Sequence, residues 1–286
     1  MRTLVLGLAL VCLQVSASAA AEFTQTLKRI NDAGQINLGF RDAEPPMSFK
    51  DDKGNPVGYS IDLCNAIATA VKQKLGRSDI KANYIAVNAE NRFSAIESGK
   101  IDILCGATTK TLDRSEKVGF TQLTFVTGAS LLSRKDGEVP NLMGLKGKRV
   151  AVVSNTTTIE SLKGAISELL IDAEVVPVSS ANDAMALLDK GEVDAFSSDQ
   201  VVLIGQVISR GGEQVYALSQ ELFSFEPFAL AVPRGDADFQ LVADRALSQL
   251  NRSGQIGAIY RRWFGRFGEK PPVVLRALYQ LNSTPQ

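Results

Sequence analysis

The residues best suited to bind a small anion follow a short apolar stretch at residues 101–105, in the sequence IDILCGATTKTLDRS. Its alternation predicts a strand that ends at Gly106, and ligands bind at the carboxyl ends of strands in open α/β sheets. Such an end exposes backbone N–H groups and the hydroxyl of Thr109. Arg114 follows within reach, and the paired donors of a guanidinium match the two oxygens of a carboxylate. The stretch therefore predicts a carboxylate site, with a solvated turn and a surface arginine as the alternative.

Other charged or hydroxyl-bearing residues also follow predicted strands. Arg41 comes directly after one strand, Arg92 opens a helix beyond another, and the segment SNTTT at 154–158 and Asp199 follow strands of the second half. In a parallel architecture these strand ends face one cleft. Three arginines and one aspartate gathered there would suit a small zwitterion with a carboxylate, an ammonium and a second acidic group.

Each of these residues also has a purely structural interpretation. Residues 156–158 are expected to cap the helix that follows, and a helix N-terminus both needs a cap and attracts an anion. Asp199 could equally cap a helix, although an ammonium contact is favoured. Arg92 could lie solvated on its helix. Arg41 is harder to explain as a surface residue because a Pro-Pro turn follows it closely.

The composition is that of an ordinary globular protein. Its 286 residues are 45% hydrophobic and 22% charged, and Lys+Arg and Asp+Glu number 31 each. This balance gives no field that would attract a nucleic acid, so no such partner is expected. Because the chain has no histidine, histidine-based nucleophilic pairs, general bases and metal sites are excluded. No phosphate-binding glycine motif follows a predicted strand, and neither a metal nor a cofactor is expected.

Residues 1–21 have the order of a secretory signal peptide. Arg2 precedes an apolar run at residues 4–13, and residues 16–21 are mostly small. The run is too short to span a bilayer, so we expect cleavage near residues 19–21 and export of a soluble protein.

Two cysteines, Cys64 and Cys105, lie beyond the predicted signal peptide. An exported protein permits a disulfide between them, and two buried thiols are also compatible with the sequence. Cys64 falls on the apolar face of a predicted helix and Cys105 within a strand. Both are core positions, which favours two buried thiols.

Strand and helix signals alternate along the chain in two similar units. The first unit has strands at 36–40, 84–87 and 101–105 and helices at 61–75 and 92–98. The second has strands at 149–153, 175–178 and 193–197 and helices at 159–169 and 184–188. The passages AIESGKIDILCG and LLDKGEVDAFSS repeat one glycine-to-aspartate spacing. We therefore predict an α/β fold of two lobes, each with a mostly parallel sheet flanked by helices.

Two extended segments, at residues 120–136 and 221–236, are expected to connect the lobes as crossover strands. The chain would leave the first lobe and later return to it. The predicted division is lobe 1 at residues 22–125 plus 223–286 and lobe 2 at residues 126–222. Two parallel connections form a hinge.

The C-terminal part is predicted to return to lobe 1. Amphipathic helices at 239–250 and 256–263 are expected to pack there, and the Pro271-Pro272 pair is expected to end that packing.

These residues resemble a known family, the periplasmic amino-acid-binding proteins of ABC importers, solute-binding protein family 3, and within it the glutamate/aspartate-binding branch. The matching passages are GFRDAEPPMSF, GNPVGYSIDLCNAI, ENRF, GATTKTLDRSEKVGFT, LKGKRVAVVSNTT and YRRWF, in that order within residues 24–267. The resemblance implies a Venus-flytrap fold whose lobes close on one amino acid. It implies a periplasmic monomer that presents the ligand to a membrane permease and, indirectly, to its ATPase.

The resemblance also assigns roles to the strand-end residues. By position, Arg114 would hold the α-carboxylate with Thr109 and the Thr157 end of the second lobe's helix, and Asp199 with Thr109 would hold the α-ammonium. The two remaining arginines match positions that bind an acidic side chain. The implied ligand-binding set is Arg41, Arg92, Ala107, Thr108, Thr109, Arg114, Asn155, Thr156, Thr157 and Asp199.

The chain departs from this branch where the branch has polar contacts, at Ala89, Ala107 and Ala181. Each lost contact to a charged group costs ~1.5–3 kcal/mol if water does not replace it. An acidic amino acid remains the expected ligand, with a larger or different anionic amino acid, or another polar one, as the alternative. The branch often has a cysteine where this chain has Leu230, so Cys105 would pair with Cys64 or stay free.

Two further functions would use the same fold. A periplasmic dehydratase, similar to cyclohexadienyl dehydratases, would need a carboxylate aimed at the ligand, with Glu44 and Glu90 the candidates by position. A sensor would report ligand occupancy to a membrane partner. The fold alone does not separate these functions, but the lack of a catalytic histidine favours binding without turnover.

Overall fold

The computed structural model describes residues 23–268 and 270–285. The predicted signal peptide lies outside these residues. The helices of the described part are α1 (Gln25–Ala33), α2 (Tyr59–Leu75), α3 (Arg92–Glu97), α4 (Leu112–Ser115), α5 (Thr157–Glu168), α6 (Ala181–Asp189), α7 (Gln200–Ser209), α8 (Ala237–Arg252), α9 (Gln255–Phe264) and α10 (Val273–Leu281), with 3₁₀ turns at Lys135–Gly137 and Leu142–Leu145. Its strands are β1 (Gln35–Phe40), β2 (Ala43–Glu44), β3 (Ser48–Lys50), β4 (Pro56–Val57), β5 (Lys81–Ala86), β6 (Ile103–Cys105), β7 (Gly119–Thr127), β8 (Ala129–Arg134), β9 (Arg149–Val153), β10 (Glu174–Val178), β11 (Ala195–Asp199), β12 (Tyr216–Leu218) and β13 (Glu226–Val232).

Two five-stranded sheets confirm the predicted two-lobed α/β fold. The first sheet has the order β5-β1-β6-β13-β7 and the second the order β10-β9-β11-β8-β12. In each sheet the three strands of the predicted alternating unit are parallel, whereas β13, β7, β8 and β12 pair antiparallel. The sheets are therefore mixed, because β13 in the first sheet and β8 in the second run opposite to the parallel strands.

The repeated glycine and aspartate have the same role in both lobes. Gly99 and Gly191 end a helix with φ of 70° and 68°, a conformation that glycine adopts without strain. Three residues later, Asp102 accepts a hydrogen bond from the backbone N–H of Asn37 at 2.6 Å, and Asp194 accepts one from that of Arg149 at 2.8 Å. Each aspartate thus ties its loop to the first strand of its own alternating unit.

The chain passes between the lobes twice, and the two passages lie side by side. β7 ends at Thr127 in the first sheet and β8 begins at Ala129 in the second. A Cβ at Gly128 would lie 2.4 Å from the carbonyl oxygen of Ser224 on the returning passage. That close approach explains the glycine. The lobe boundaries at residues 125 and 222 stay a prediction.

The prediction that packing ends at Pro271-Pro272 is wrong. α10 follows directly and buries Leu275, Leu278 and Tyr279 in the core of the first lobe. The Tyr279 hydroxyl lies 3.1 Å from that of the fully buried Tyr59. Proline fits the start of a helix because the first N–H groups there need no helical partner.

The prediction of two free thiols is also wrong, since Cys64 and Cys105 form a disulfide with a Cα–Cα distance of 6.1 Å. α2 packs across β6, so the two core positions are adjacent in space. The bridge joins residues 41 apart in sequence, a loop length for which chain entropy gives a stabilisation of ~4 kcal/mol. Leu230 lies fully buried in the same core.

No helix among residues 23–268 and 270–285 is long and apolar enough to cross a membrane.

Candidate ligand-binding site

A cleft between the two lobes gathers the carboxyl ends of β1, β6, β9 and β11. Its lining is mostly polar and comes from both lobes. The lining residues are Arg41, Asp42, Ala43, Glu44, Asn88, Arg92, Ala107, Thr109, Arg114, Val153, Thr156, Thr157, Thr158, Ser179, Ser180, Ala181, Ser197, Ser198, Asp199 and Val202. The cleft therefore contains eight of the ten predicted ligand-binding residues. Thr108 and Asn155 are not in its lining.

Arg41 is held at the base of the cleft by its neighbours. It follows β1, is buried, and its backbone N–H donates to the Ser48 hydroxyl at 2.9 Å. Its Nη1 forms an ion pair with Glu44 Oε1 at 2.9 Å. A Cβ at Gly106 would lie 2.9 Å from the Arg41 Cγ, so the glycine after β6 makes room for the arginine stem.

Arg92 is 3% exposed, so the solvated-helix alternative is wrong. Its Nη1 donates to the Ala89 carbonyl at 2.6 Å and its Nη2 to the Asn155 carbonyl at 2.9 Å. The guanidinium lies 4.7 Å from the centre of the Phe93 ring, and within residues 23–268 and 270–285 its Nε has no hydrogen-bond partner. Burial, together with the charges of Arg41 and Arg114, lowers the Arg92 pKa to about 9. An anion beside Arg92 would relieve this cost.

Arg114 reaches the cleft from the short helix α4. The Thr111 hydroxyl caps that helix by accepting from the Arg114 backbone N–H at 3.1 Å. The Arg114 Nη1 donates to the Thr109 carbonyl at 2.8 Å, and its guanidinium lies 5.4 Å from the Phe93 ring centre. Burial lowers the Arg114 pKa, while Glu226 and Asp199 act in the opposite sense. The ring of Phe93 therefore supports two guanidinium groups.

Asp199 ends β11 and precedes α7, but its side chain forms no cap hydrogen bond. Its Oδ1 is shielded from solvent and has no hydrogen-bond partner among the described residues. Burial, followed by repulsion from Glu226 and Glu44, raises the Asp199 pKa well above its usual value. A carboxylate with an unused buried oxygen suits an ammonium better than it suits the helix end.

The threonine hydroxyls of the second lobe have two roles, since one caps a helix and another is directed to the site. Thr156 is the N-cap of α5: its Oγ1 donates to the Val153 carbonyl at 2.7 Å and accepts from the Ile159 N–H at 3.4 Å. Thr157 instead donates to Glu226 Oε2 at 2.7 Å. Asn155 has φ of 58° and contributes its carbonyl to Arg92. The predicted N-cap is thus Thr156, and Thr157 is the hydroxyl available to the site.

The positions where the resemblance implied lost polar contacts lie in or beside the cleft. Ala107 and Ala181 line it. Ala89 is buried in the same apolar cluster as Ala181 and Val153 of the second lobe. Thr108 is buried, and its Oγ1 has no hydrogen-bond partner in the part of the chain that the structure describes.

Two carboxylates near the site are not predicted as ligand-binding groups by the sequence. The sequence makes Glu44 a candidate only for a catalytic group. In the structure its Oε2 accepts from the Ala107 N–H at 3.2 Å. Glu226 is 1% exposed and accepts from Thr109 Oγ1 at 2.5 Å. Its one signal is a single acidic residue between two phenylalanines in the extended segment SFEPF. With Asp42 and Asp199, which also line the cleft, the site thus combines three guanidinium groups with four carboxylates.

The lobes are closed on each other in this structure. Gln206 Nε2 donates to the Ala43 carbonyl at 2.9 Å, which joins α7 of the second lobe to β2 of the first. A Cβ at Gly205 would lie 2.0 Å from the carbonyl oxygen of Pro45. The contacts from Arg92 to Asn155 and from Thr157 to Glu226 also cross between the two halves.

Comparison with known proteins gives consistent matches across the chain. The family model of the bacterial extracellular solute-binding proteins, family 3, matches residues 36–266. The L-glutamate/L-aspartate-binding protein of Pseudomonas aeruginosa is 33% identical over 261 residues, which cover 91% of this chain and 86% of that protein.

Solved structures agree with the fold. An ancestral arginine-binding protein bound to arginine superimposes with a TM-score of 0.72 at 28% identity, covering 81% of this chain and 99% of the other. The ancestral amino acid-binding protein AncCDT-1, a precursor of cyclohexadienyl dehydratase, gives a TM-score of 0.71 at 27% identity, covering 84% and 100%.

Proposed function

Because the chain belongs to the bacterial extracellular solute-binding proteins of family 3, we propose that it is the substrate-binding component of an amino-acid ABC importer. It holds one acidic amino acid between its lobes and delivers it to the membrane permease. The observation that carries this proposal is the convergence of Arg41, Arg92 and Arg114 with Asp199 in one interlobe cleft.

The polar groups of the cleft match the parts of such a ligand. The unpartnered Asp199 Oδ1 is suited to the α-ammonium. Arg114 uses Nη1 for the Thr109 carbonyl, and its other donors remain for the α-carboxylate. Arg41 and Arg92 are the groups for an acidic side chain, supported by the glutamate/aspartate-binding relative.

We also propose that the protein binds without turnover. Glu44, one candidate for a dehydratase, directs one oxygen to Arg41 and the other to the Ala107 N–H. Glu90, the other candidate, is exposed and lies outside the cleft lining. The chain is similar to AncCDT-1, a precursor of cyclohexadienyl dehydratase, so enzymatic turnover is the alternative to test. Loss of the substrate over time would contradict this proposal.

The cellular setting is part of the proposal. The predicted signal peptide and the family favour a periplasmic monomer whose partners are the permease and, through it, the ATPase.

A thermal-shift screen of the mature protein tests the function. An acidic amino acid at 100 times its dissociation constant should raise the free energy of unfolding by ~2.7 kcal/mol. The Arg41→Ala variant should lose this response to the acidic ligand. Stabilisation by other amino acids alone would refute the acidic ligand, and the absence of any amino-acid response would refute the transport function.

A further inference from the structure

Glu226 lies behind the cleft rather than in its lining. It begins β13, where it pairs with Thr127 of β7, and its carboxylate is buried between the two lobes. Oε2 accepts from Thr109 Oγ1 at 2.5 Å and from Thr157 Oγ1 at 2.7 Å, and Oε1 accepts from Ser224 Oγ at 2.7 Å. One carboxylate thus joins a hydroxyl from each lobe.

These contacts fix the direction of two protons. A threonine hydroxyl has one proton to donate and two lone pairs that accept, and an ionised carboxylate only accepts. Thr109 and Thr157 therefore both give their single proton to Glu226. Their oxygens lie 3.3 Å apart, and toward the cleft both present lone pairs alone.

The oxygen lone pairs of Thr109 and Thr157 determine which ligand group fits beside these two residues. An ammonium has three donors and is attracted to such oxygens, whereas a carboxylate oxygen is repelled by them. Asp199, which also lines the cleft, adds an unpartnered carboxylate oxygen. The corner formed by the hydroxyls of Thr109 and Thr157 and by Asp199 is therefore a site for donors, and the resemblance-based role of the Thr109 hydroxyl at the α-carboxylate does not fit its hydrogen bond to Glu226.

We propose that Glu226 is a positioning residue for specificity, which turns Thr109 and Thr157 into acceptors and so makes the closed cleft select a ligand with a protonated amine. This proposal rests on the proposed amino-acid-binding function. Because Thr109 belongs to the first lobe and Thr157 to the second, the selection is complete only when the lobes are closed.

Two variants test it on the mature protein with three ligands. The ligands are glutamate, glutarate, which lacks the ammonium, and 4-aminobutyrate, which lacks the α-carboxylate. Dissociation constants come from calorimetry or, for weak ligands, from displacement of bound glutamate at millimolar concentration. Thr109→Val should weaken the binding of glutamate and of 4-aminobutyrate about ten-fold or more, which is the range for a hydrogen bond to a charged group. It should change the dissociation constant of glutarate less than about two-fold.

Glu226→Met removes the acceptor and frees both hydroxyl protons. It should lower the ratio of the glutarate to the glutamate dissociation constant by about ten-fold. Thr69→Val is the matched control, because Thr69 lies exposed on α2 and its hydroxyl donates only to the Asn65 carbonyl. It should leave all three constants unchanged.

The outcomes are distinct. An equal loss of affinity for glutarate and for glutamate in Thr109→Val would show that the Thr109 hydroxyl donates to the ligand's carboxylate. This result would overturn the proposal even if Glu226→Met fails to fold. An unchanged ratio in a folded Glu226→Met protein would also overturn it. If the wild-type protein binds no amino acid, the proposed function fails first and this proposal with it.

Discussion

Asp199 combines a raised pKa with an unsatisfied oxygen, and this combination makes its affinity for a ligand depend on pH. Burial and the neighbouring carboxylates Glu226 and Glu44 raise the pKa of the free protein's Asp199 carboxyl. An ammonium binds the ionised form, so ligand binding releases the proton. Affinity should therefore rise with pH, by up to ~10-fold per unit, until the pH exceeds that raised pKa.

Calorimetry of the wild type and Asp199→Asn between pH 5 and pH 8 checks this expectation. The variant should bind more weakly and lose the pH slope. Without ligand it should be more stable than the wild type near neutral pH, because a raised carboxyl pKa means that ionisation opposes folding as pH rises. A wild-type affinity that falls as pH rises would contradict the assignment.

Glu44 determines how much of the Arg41 charge is left for a ligand. Its carboxylate already pairs with Arg41 at 2.9 Å. Glu44→Gln should keep an acceptor for the Ala107 N–H and free the guanidinium. The preference for glutamate over glutamine should then increase by about ten-fold.

Paired calorimetric titrations with the acid and the amide measure that preference. The exposed residue Glu90 gives the control variant Glu90→Gln, which should leave the ratio unchanged. A preference that stays constant or declines in Glu44→Gln would show that Arg41 does not meet the ligand's side chain.

At the level of residues, the sequence predicted the arginines and Asp199 because each lies at or beyond the carboxyl end of a predicted strand. It did not predict Glu226 as part of the site, because its partners Thr109 and Thr157 are 117 and 69 residues away. Pairings of that kind depend on how the two lobes come together. No local pattern encodes them.

At the level of elements, α7 carries a glycine that closure requires. Gly205 packs against the Pro45 carbonyl, where a Cβ would be only 2.0 Å from the oxygen. Gly205→Ala should therefore weaken ligand affinity, since the closed arrangement becomes strained. The free protein should not lose stability when the lobes open, because alanine favours a helix over glycine by ~1 kcal/mol.

Gly164 provides the matched control for this experiment. It lies in α5, where an added Cβ would have no atom within 4 Å, so Gly164→Ala should preserve affinity and keep or raise stability. Calorimetry and thermal unfolding compare the two variants. Unaltered affinity in Gly205→Ala would show that the α7 contact is not part of the ligand-bound state.

The alternating strands and helices were predictable because apolar periodicity is a local property. The strand β12 and the helix α10 were less so. α10 buries only three side chains, Leu275, Leu278 and Tyr279, and its place is set by the surface of the first lobe. The disulfide was one of two alternatives that the sequence left open, since core packing rather than a local sequence pattern brings Cys64 and Cys105 together.

At the level of the whole molecule, a chain of no net charge encloses between its two lobes a cleft with a dense set of charges of both signs. The chain as a whole carries 31 basic and 31 acidic residues, so attraction of the ligand depends on local groups. Closure matters because electrostatic contacts strengthen as water is excluded. The hinge of two adjacent passages allows that closure.

The most direct test is calorimetric titration of the mature protein with L-glutamate and L-aspartate. One acidic amino acid should bind per chain, and Arg114→Gln should weaken binding about 10- to 150-fold through loss of charged hydrogen bonds. Arg276→Gln, which changes an exposed arginine on α10 outside the cleft, should bind as the wild type does. Absence of binding, several ligands per chain, or full affinity in Arg114→Gln would contradict the central claim that the interlobe cleft holds one acidic amino acid.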